Sequence, residues 1–242
     1  MEKKNIQKIL RQGFEEYGLL DKIDPSALQN LDCFCQLLLE KNQVMNLTAI
    51  RDHEGVARLH MLDSAALLQY RDFAEKTLLD VGTGAGFPGM VLKILVPSLD
   101  VTLLDSLNKR LDWLLETCGA LNLQKIRTLH ARAEEQALVK GFRDSFDFVT
   151  ARAVADLRLL CELCLPYVKV GGAFLAMKST DSGPELGNAA HVIKLLGGRV
   201  AGIHDYTIPG TEVTHRLIAI EKLAPTLKGY PRRWAKMQKE PL

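Results

Sequence analysis

No segment of this sequence is apolar enough to suggest a membrane span. Its apolar runs fall short of the roughly 18 residues that a spanning helix requires. No apolar signal-peptide core follows the polar start at Met1, so we expect a cytoplasmic protein that contacts no membrane. The formal net charge is only +2, so any affinity for nucleic acid must come from local basic patches.

Cysteine is also scarce, with five residues in the chain. Cys161 and Cys164 form a C-x-x-C pair, but no second pair or histidine cluster completes a metal site. We therefore expect buried thiols and no bound metal.

Glycine, by contrast, is concentrated in one loop. This loop lies between a predicted strand, Thr77–Val81, and a predicted helix, Met90–Val96. The segment Gly84-x-Gly86-x-x-Gly89 matches the dinucleotide-binding pattern, in which backbone approaches a nucleotide closely. A glycine-rich turn without a ligand is the alternative interpretation.

An acid before this loop favours a different nucleotide ligand. The longer pattern is Asp80-x-Gly82-x-Gly84-x-Gly86, with the carboxylate at the strand tip. A carboxylate there repels a pyrophosphate but complements an ammonium group. S-adenosylmethionine has an ammonium, a sulfonium and no phosphate. We therefore predict S-adenosylmethionine, rather than NAD, as the cofactor.

The remaining pattern predicts an α/β fold with a mostly parallel, seven-stranded sheet and an antiparallel edge hairpin. Helices are expected at 2–18, 25–42, 52–58 and 59–69, before the first strand. Strands are expected at Thr77–Val81, Val101–Asp105, Ile126–His130, Phe146–Ala151, Ala173–Met177, Arg199–Thr207 and His215–Lys222. We divide the chain into a helical N-terminal extension (1–72), a main domain (73–224) and a basic C-terminal tail (225–242).

Polar residues at the predicted strand ends extend the cofactor site. Asp105 ends the second strand and can accept hydrogen bonds from ribose hydroxyls, although it can also cap the following helix. After the third strand, the backbone of Ala133 or Glu134 can meet the adenine edge, and a first-turn helix acid is the alternative for Glu134. Phe87 can line the same pocket with apolar surface.

Arg152 ends the fourth strand, where a methyl acceptor would lie. Arginine cannot act as a general base, so a reaction that removes no proton fits best. Guanine N7 is such an acceptor, because it offers a lone pair and carries no proton. Arg152 and Lys178 are the predicted catalytic residues, binding guanine O6 or a phosphate. The alternative for Arg152 is a salt bridge to Asp80, Asp156 or Asp147.

Two basic clusters are candidates for binding RNA. The first contains Arg51, Arg58 and His60, and a solvated helix face is its alternative. The second is the tail, where Arg232 and Arg233 lie among aromatic residues suited to stacked bases. A solvated, unstructured tail is the alternative there.

With these residues, the chain resembles the bacterial RsmG (GidB) family of 16S rRNA guanine-N7 methyltransferases. The matching segments are Asn46–Ile50, His60–Ser64, Asp80–Gly89, Leu104–Arg110, Ala133-Glu134, Arg152-Ala153, Met177-Lys178 and Tyr230-Pro231-Arg232. The Gly-x-Pro that the family has soon afterwards is absent from residues 233–238.

The resemblance implies a class I methyltransferase fold. It also implies that Gly82, Phe87, Ala133, Glu134 and Arg152 bind the cofactor, with Asp105 near its ribose. The expected substrate is a guanine near the decoding site of 16S rRNA in the small ribosomal subunit, and we expect a monomer. Two alternatives stay open: a methyltransferase for small molecules, and a non-catalytic RNA-binding assembly factor. A NAD-dependent oxidoreductase is a more distant one.

Overall fold

The structure is a computed structural model that describes residues 6–152 and 155–242. The first helix, α1, spans Ile6–Glu16, and its predicted start at residues 2–5 lies outside the described ranges. Helix α2 spans Pro25–Met45. Asp24 caps it by accepting a hydrogen bond from the Ser26 N–H, with proline at the first helical position.

Residues 53–69 are helical, but they do not form the two predicted helices. A single turn, α3 (His53–Gly55), leads into a π-helix at Val56–Leu62, then α4 (Asp63–Ala65) and a 3-10 turn at Ala66–Gln69. The wider π-helical turns are frequent at functional sites.

The prediction of a seven-stranded, mostly parallel sheet is confirmed, with the strand order β3-β2-β1-β4-β5-β7-β6. Strand β7 runs antiparallel to both of its neighbours. The strands are β1 (Thr77–Val81), β2 (Asp100–Asp105), β3 (Ile126–His130), β4 (Phe146–Arg152), β5 (Val168–Ser179), β6 (Gly198–Thr207) and β7 (Thr214–Lys222). The carboxyl ends of β1 to β4 therefore meet at one edge of the sheet.

Two hydrophobic clusters cover the faces of the sheet. Leu78 and Leu79 belong to different clusters, because successive side chains of a strand point to opposite faces. The N-terminal helices share one cluster with α5 (Gly89–Leu95) and α6 (Asn108–Ala120). The other contains α8 (Leu157–Cys164) and α9 (Gly183–Leu195), and the short helix α7 (Ala133–Gln136) lies between α6 and α8 in the chain.

The C-terminal tail is packed and ends in a short helix, α10 (Trp234–Lys239). Met237 is fully buried against the same cluster as α8. The alternative of an unstructured tail is therefore wrong. Across the described residues, none of the helices has both the length and the apolar character needed to cross a bilayer.

Candidate active site

A cleft with a volume of about 150 Å³ lies at the carboxyl edge of the sheet, beside the ends of β1, β2 and β3. It brings together four of the predicted cofactor-binding residues: Gly82, Asp105, Ala133 and Glu134. Leu163 of α8 and Trp234 of α10 also line it. The parallel strands create this convergence, because their carboxyl ends deliver successive loops to the same place.

Asp105 joins the glycine loop to the turn that follows β2. Its carboxylate accepts a hydrogen bond from the Gly84 N–H at 2.9 Å and another from the Leu107 N–H at 2.9 Å. Gly84 has a φ of +57°, a conformation that glycine adopts without a steric penalty. Asp105 thus positions the glycine loop, and its contact with ribose stays a prediction.

Asp80 lies beneath the glycine loop and is completely buried. Its carboxylate accepts hydrogen bonds from the Thr83 hydroxyl (2.7 Å), the Gly89 N–H (3.0 Å) and the Thr150 hydroxyl (3.2 Å). Burial raises the pKa of Asp80, although these donors oppose the shift. The carboxylate therefore holds the glycine loop in place through these hydrogen bonds. Its predicted pairing with the ammonium group of the cofactor stays a prediction.

Gly86 and Phe87 complete the loop without reaching the cleft. A Cβ at Gly86 would lie 2.6 Å from the Met90 side chain, so this position has no room for a larger residue. Phe87 is not among the cleft residues in the described part of the chain. Its ring stacks on His60 with centroids 4.5 Å apart, so it connects the loop to the N-terminal helices.

Ala133 and Glu134 begin helix α7 at the cleft wall. The first N–H groups of a helix have no partner within the helix, so they can bind a polar ligand edge. Glu134 is largely buried, 3.4 Å from the Arg132 guanidinium. The placement suits the predicted adenine contact, which stays a prediction.

Arg152 lies in a buried polar network at the tip of β4, outside the residues that line the cleft. Its guanidinium donates to the Asp63 carboxylate at 2.8 Å, and a second nitrogen donates to His60 Nδ1 at 2.9 Å. Asp63 also accepts hydrogen bonds from the Tyr206 hydroxyl (2.8 Å) and from His215 Nδ1 (2.7 Å). Arg152 does form a salt bridge, but Asp63 is the partner, not one of the three predicted acids.

Asp63 stays ionised in this network although it has no exposed surface. Burial by itself raises the pKa of a carboxyl group, but His215 and Arg152 outweigh it and hold the pKa of Asp63 below its ordinary value. No local pattern marks Asp63 for this role, although it lies within the His60–Ser64 segment that resembles the family.

His60 is partly buried, and its ring carries no charge at neutral pH. Burial and the adjacent Arg152 charge lower the pKa of His60 to about 4, so the ring is neutral at pH 7. Because Nδ1 accepts from Arg152, the proton is on Nε2, which lies 2.7 Å from the Thr48 hydroxyl oxygen. A phosphate contact of His60, which stays a prediction, would therefore not be an ion pair.

Lys178 is also engaged within the protein. Its ammonium lies 2.9 Å from the Glu185 carboxylate and donates to the carbonyl of Ala155 at 3.1 Å. Glu185 in turn accepts from the Leu157 N–H at 2.7 Å, which fixes the start of α8. The predicted catalytic roles of Arg152 and Lys178 stay predictions, and Ala153 beside Arg152 lies outside the described residues.

The predicted RNA-binding cations divide into paired and exposed residues. Arg58 donates to Glu54 and to the carbonyl of Pro209, and Arg232 is paired with the buried Glu162. Neither guanidinium is a free surface cation, and their predicted contacts with phosphate stay predictions. Arg51 and Arg233 are exposed and remain candidates.

Comparison with known proteins identifies the family. A model of the family GidB, described as rRNA small subunit methyltransferase G, matches residues 27–213. The protein called ribosomal RNA small subunit methyltransferase G of Alkaliphilus metalliredigens is 43% identical over 235 residues, covering 97% of this chain and 98% of the relative. Its namesake in Lachnoclostridium phytofermentans is 44% identical over 232 residues, covering 96% and 95%. The chain belongs to the GidB family.

Solved structures with a similar fold support the predicted fold class. TrmN from Thermus thermophilus has a TM-score of 0.52 at 23% identity, covering 67% of this chain and 48% of its own. M. jannaschii TYW2, solved in complex with AdoMet, has a TM-score of 0.52 at 12% identity, covering 66% and 75%. The predicted class I methyltransferase fold is confirmed, and family membership confirms the predicted cofactor, S-adenosylmethionine.

Proposed function

We propose that this protein transfers the methyl group of S-adenosylmethionine to N7 of a guanine near the decoding site of 16S rRNA. The observation that carries the proposal is the GidB match over residues 27–213, together with a cleft where the family's glycine loop meets Asp105 and α7. When bound, S-adenosylmethionine supplies an electrophilic methyl group.

The residues at the cleft fit this cofactor. Asp105 offers a carboxylate beside the loop for ribose hydroxyls, and α7 offers N–H groups for the adenine edge. The lower walls are apolar, with Val81, Leu104 and Leu163. This combination of a few polar groups on an apolar surface is typical of small-molecule sites.

The acceptor needs orientation more than acid–base chemistry, because guanine N7 loses no proton when it is methylated. The protein then contributes mainly proximity and alignment. In this proposal Arg152 and Lys178, held by Asp63 and Glu185, act as fixed positive charges on the acceptor side. Asp80, Gly82, Gly84 and Gly86 form the methionine side of the site, and Arg51 and Arg233 contact RNA phosphates.

We further propose that the acceptor is the small ribosomal subunit in the cytoplasm, and that the enzyme acts as a monomer without a metal. The helical extension (1–72) and the tail (225–242) frame the methyltransferase domain (73–224).

One experiment tests the activity, the atom and the site together. Small subunits from cells without this protein are incubated with it and radiolabelled S-adenosylmethionine, then treated with borohydride and aniline, which cleave RNA at 7-methylguanosine. A new single cut in 16S rRNA supports the proposal. Incorporation without a cut contradicts N7 as the acceptor. Cofactor binding without incorporation favours the small-molecule enzyme or the non-catalytic assembly factor.

A further inference from the structure

The C-terminal tail is attached to the methyltransferase domain directly beside the cleft. Glu162 of α8, almost completely buried, accepts hydrogen bonds from the Arg232 backbone N–H and from two of its guanidinium nitrogens, at 2.7 to 2.9 Å. Arg143 donates to the carbonyls of Tyr230 (2.7 Å) and Thr226 (2.9 Å). These contacts fix the backbone on the N-terminal side of α10.

These hydrogen bonds to Arg232 and to the residues before it determine where Trp234 lies. Glu162 holds Arg232, and Leu163, the next residue of α8, lines the cleft. Trp234 is two residues beyond Arg232 and lines the same cleft as Leu163, Ala133 and Glu134. Trp234 is partly buried: part of its surface packs on the hydrophobic cluster that contains α8, and part remains open.

We propose that Trp234 is a further cofactor-binding residue, whose indole contacts the adenine ring of S-adenosylmethionine. The inference rests on the proposed use of this cleft by that cofactor. A flat, apolar indole beside the N–H groups of α7 matches a purine, which has a flat apolar face and a polar edge. The tail is then part of the cofactor site, and Trp234 is not a free RNA-stacking residue.

Tryptophan fluorescence can test this contact, because the chain has only two tryptophans. Trp113 of α6 is buried and stacks on Phe34 with centroids 6.3 Å apart. In a Trp113→Phe variant, emission comes from Trp234 alone, and titration with S-adenosylhomocysteine should change it saturably. In Trp234→Phe the remaining emission should not change.

Calorimetry measures the energetic effect in parallel. Trp234→Ala should weaken S-adenosylhomocysteine binding about tenfold, the scale of one aromatic stack on a base. Lys236→Ala, an exposed residue of the same helix, should not change the affinity. Wild-type affinity in Trp234→Ala overturns the inference. So does an unchanged Trp234 emission in Trp113→Phe when calorimetry shows saturation, and this second result does not depend on the alanine variant folding. Absence of binding by the wild type would instead contradict the proposed function.

Discussion

Replacing Asp63 by asparagine should destabilise this protein strongly, because one buried carboxylate joins three parts of the fold. Asp63 lies in α4, and its partners come from β4 (Arg152), β6 (Tyr206) and β7 (His215). All of them are donors. An asparagine side chain keeps one oxygen but places an NH2 group against donors on the other side, so at least one hydrogen bond is lost.

The expected loss follows from the burial of this network. Asp63 has no exposed surface and the Arg152 side chain is 17% exposed, so the substitution leaves a guanidinium without its counter-charge in a mostly buried position. Breaking a buried pair in this way costs about 3–5 kcal/mol, and the partial exposure of Arg152 places the effect near 3 kcal/mol. Tyr206→Phe removes one hydrogen bond to a charged acceptor and should cost about 1.5 kcal/mol.

Urea unfolding measures both effects. With typical slopes for a chain of this size, Asp63→Asn should lower the midpoint by about 1 M. Asp205→Asn is the matched control, since Asp205 precedes Tyr206 in β6 but pairs with Arg216 in an exposed position, and its midpoint should barely move. A loss below about 1 kcal/mol in Asp63→Asn, with an unchanged slope, would refute the idea that ion pairing holds the layers together.

Three further predictions concern His60, the glycine loop and the RNA surface. Since the pKa of His60 is lowered to about 4, the unfolded state binds more protons below about pH 6.5, so the free energy of unfolding should fall by up to about 3 kcal/mol from pH 7 to pH 4. His60→Asn should remove this component from denaturation curves recorded across that range. Gly84→Ala, whose added Cβ would make only an ordinary contact with the Gly82 carbonyl oxygen at 3.9 Å, should cost about 1 kcal/mol in urea unfolding. Gly86→Ala should cost distinctly more, because its Cβ would lie 2.6 Å from the Met90 side chain. Arg51→Ala with Arg233→Ala should weaken binding to small subunits and flatten its salt dependence without changing S-adenosylhomocysteine affinity; unchanged RNA affinity would exclude both as phosphate contacts.

The sequence predicts the strands well, because short apolar runs and turn residues are local signals. β1 and β3 match their predicted bounds, whereas β5 begins at Val168 instead of Ala173. Gly171-Gly172 indicates a turn by composition. In the structure β5 nevertheless runs through the pair, and a Cβ at Gly172 would lie 2.5 Å from the Asp147 carbonyl oxygen. This close approach of two strands explains why position 172 is a glycine, and the local sequence pattern does not reveal it.

The sequence predicts which residues meet when strand order alone brings them together. It does not predict contacts between side chains that are far apart in the chain. Gly82, Asp105, Ala133 and Glu134 converge because they follow neighbouring parallel strands. Nothing local connects Arg152 to Asp63, since the pair exists only when α4 packs against β4.

The same distinction applies to the predicted RNA surface. A count of charges along the chain includes Lys222 and Arg232, yet Lys222 is fully buried beside Asp144, and Arg232 is neutralised by Glu162. These cations attach the tail to the domain, and only the exposed ones can meet phosphate. The basic tail therefore contributes less charge to RNA binding than its sequence suggests, and more structure to the cleft. A substitution that weakens the Arg232–Glu162 pair should therefore lower the affinity for the cofactor more than the affinity for RNA.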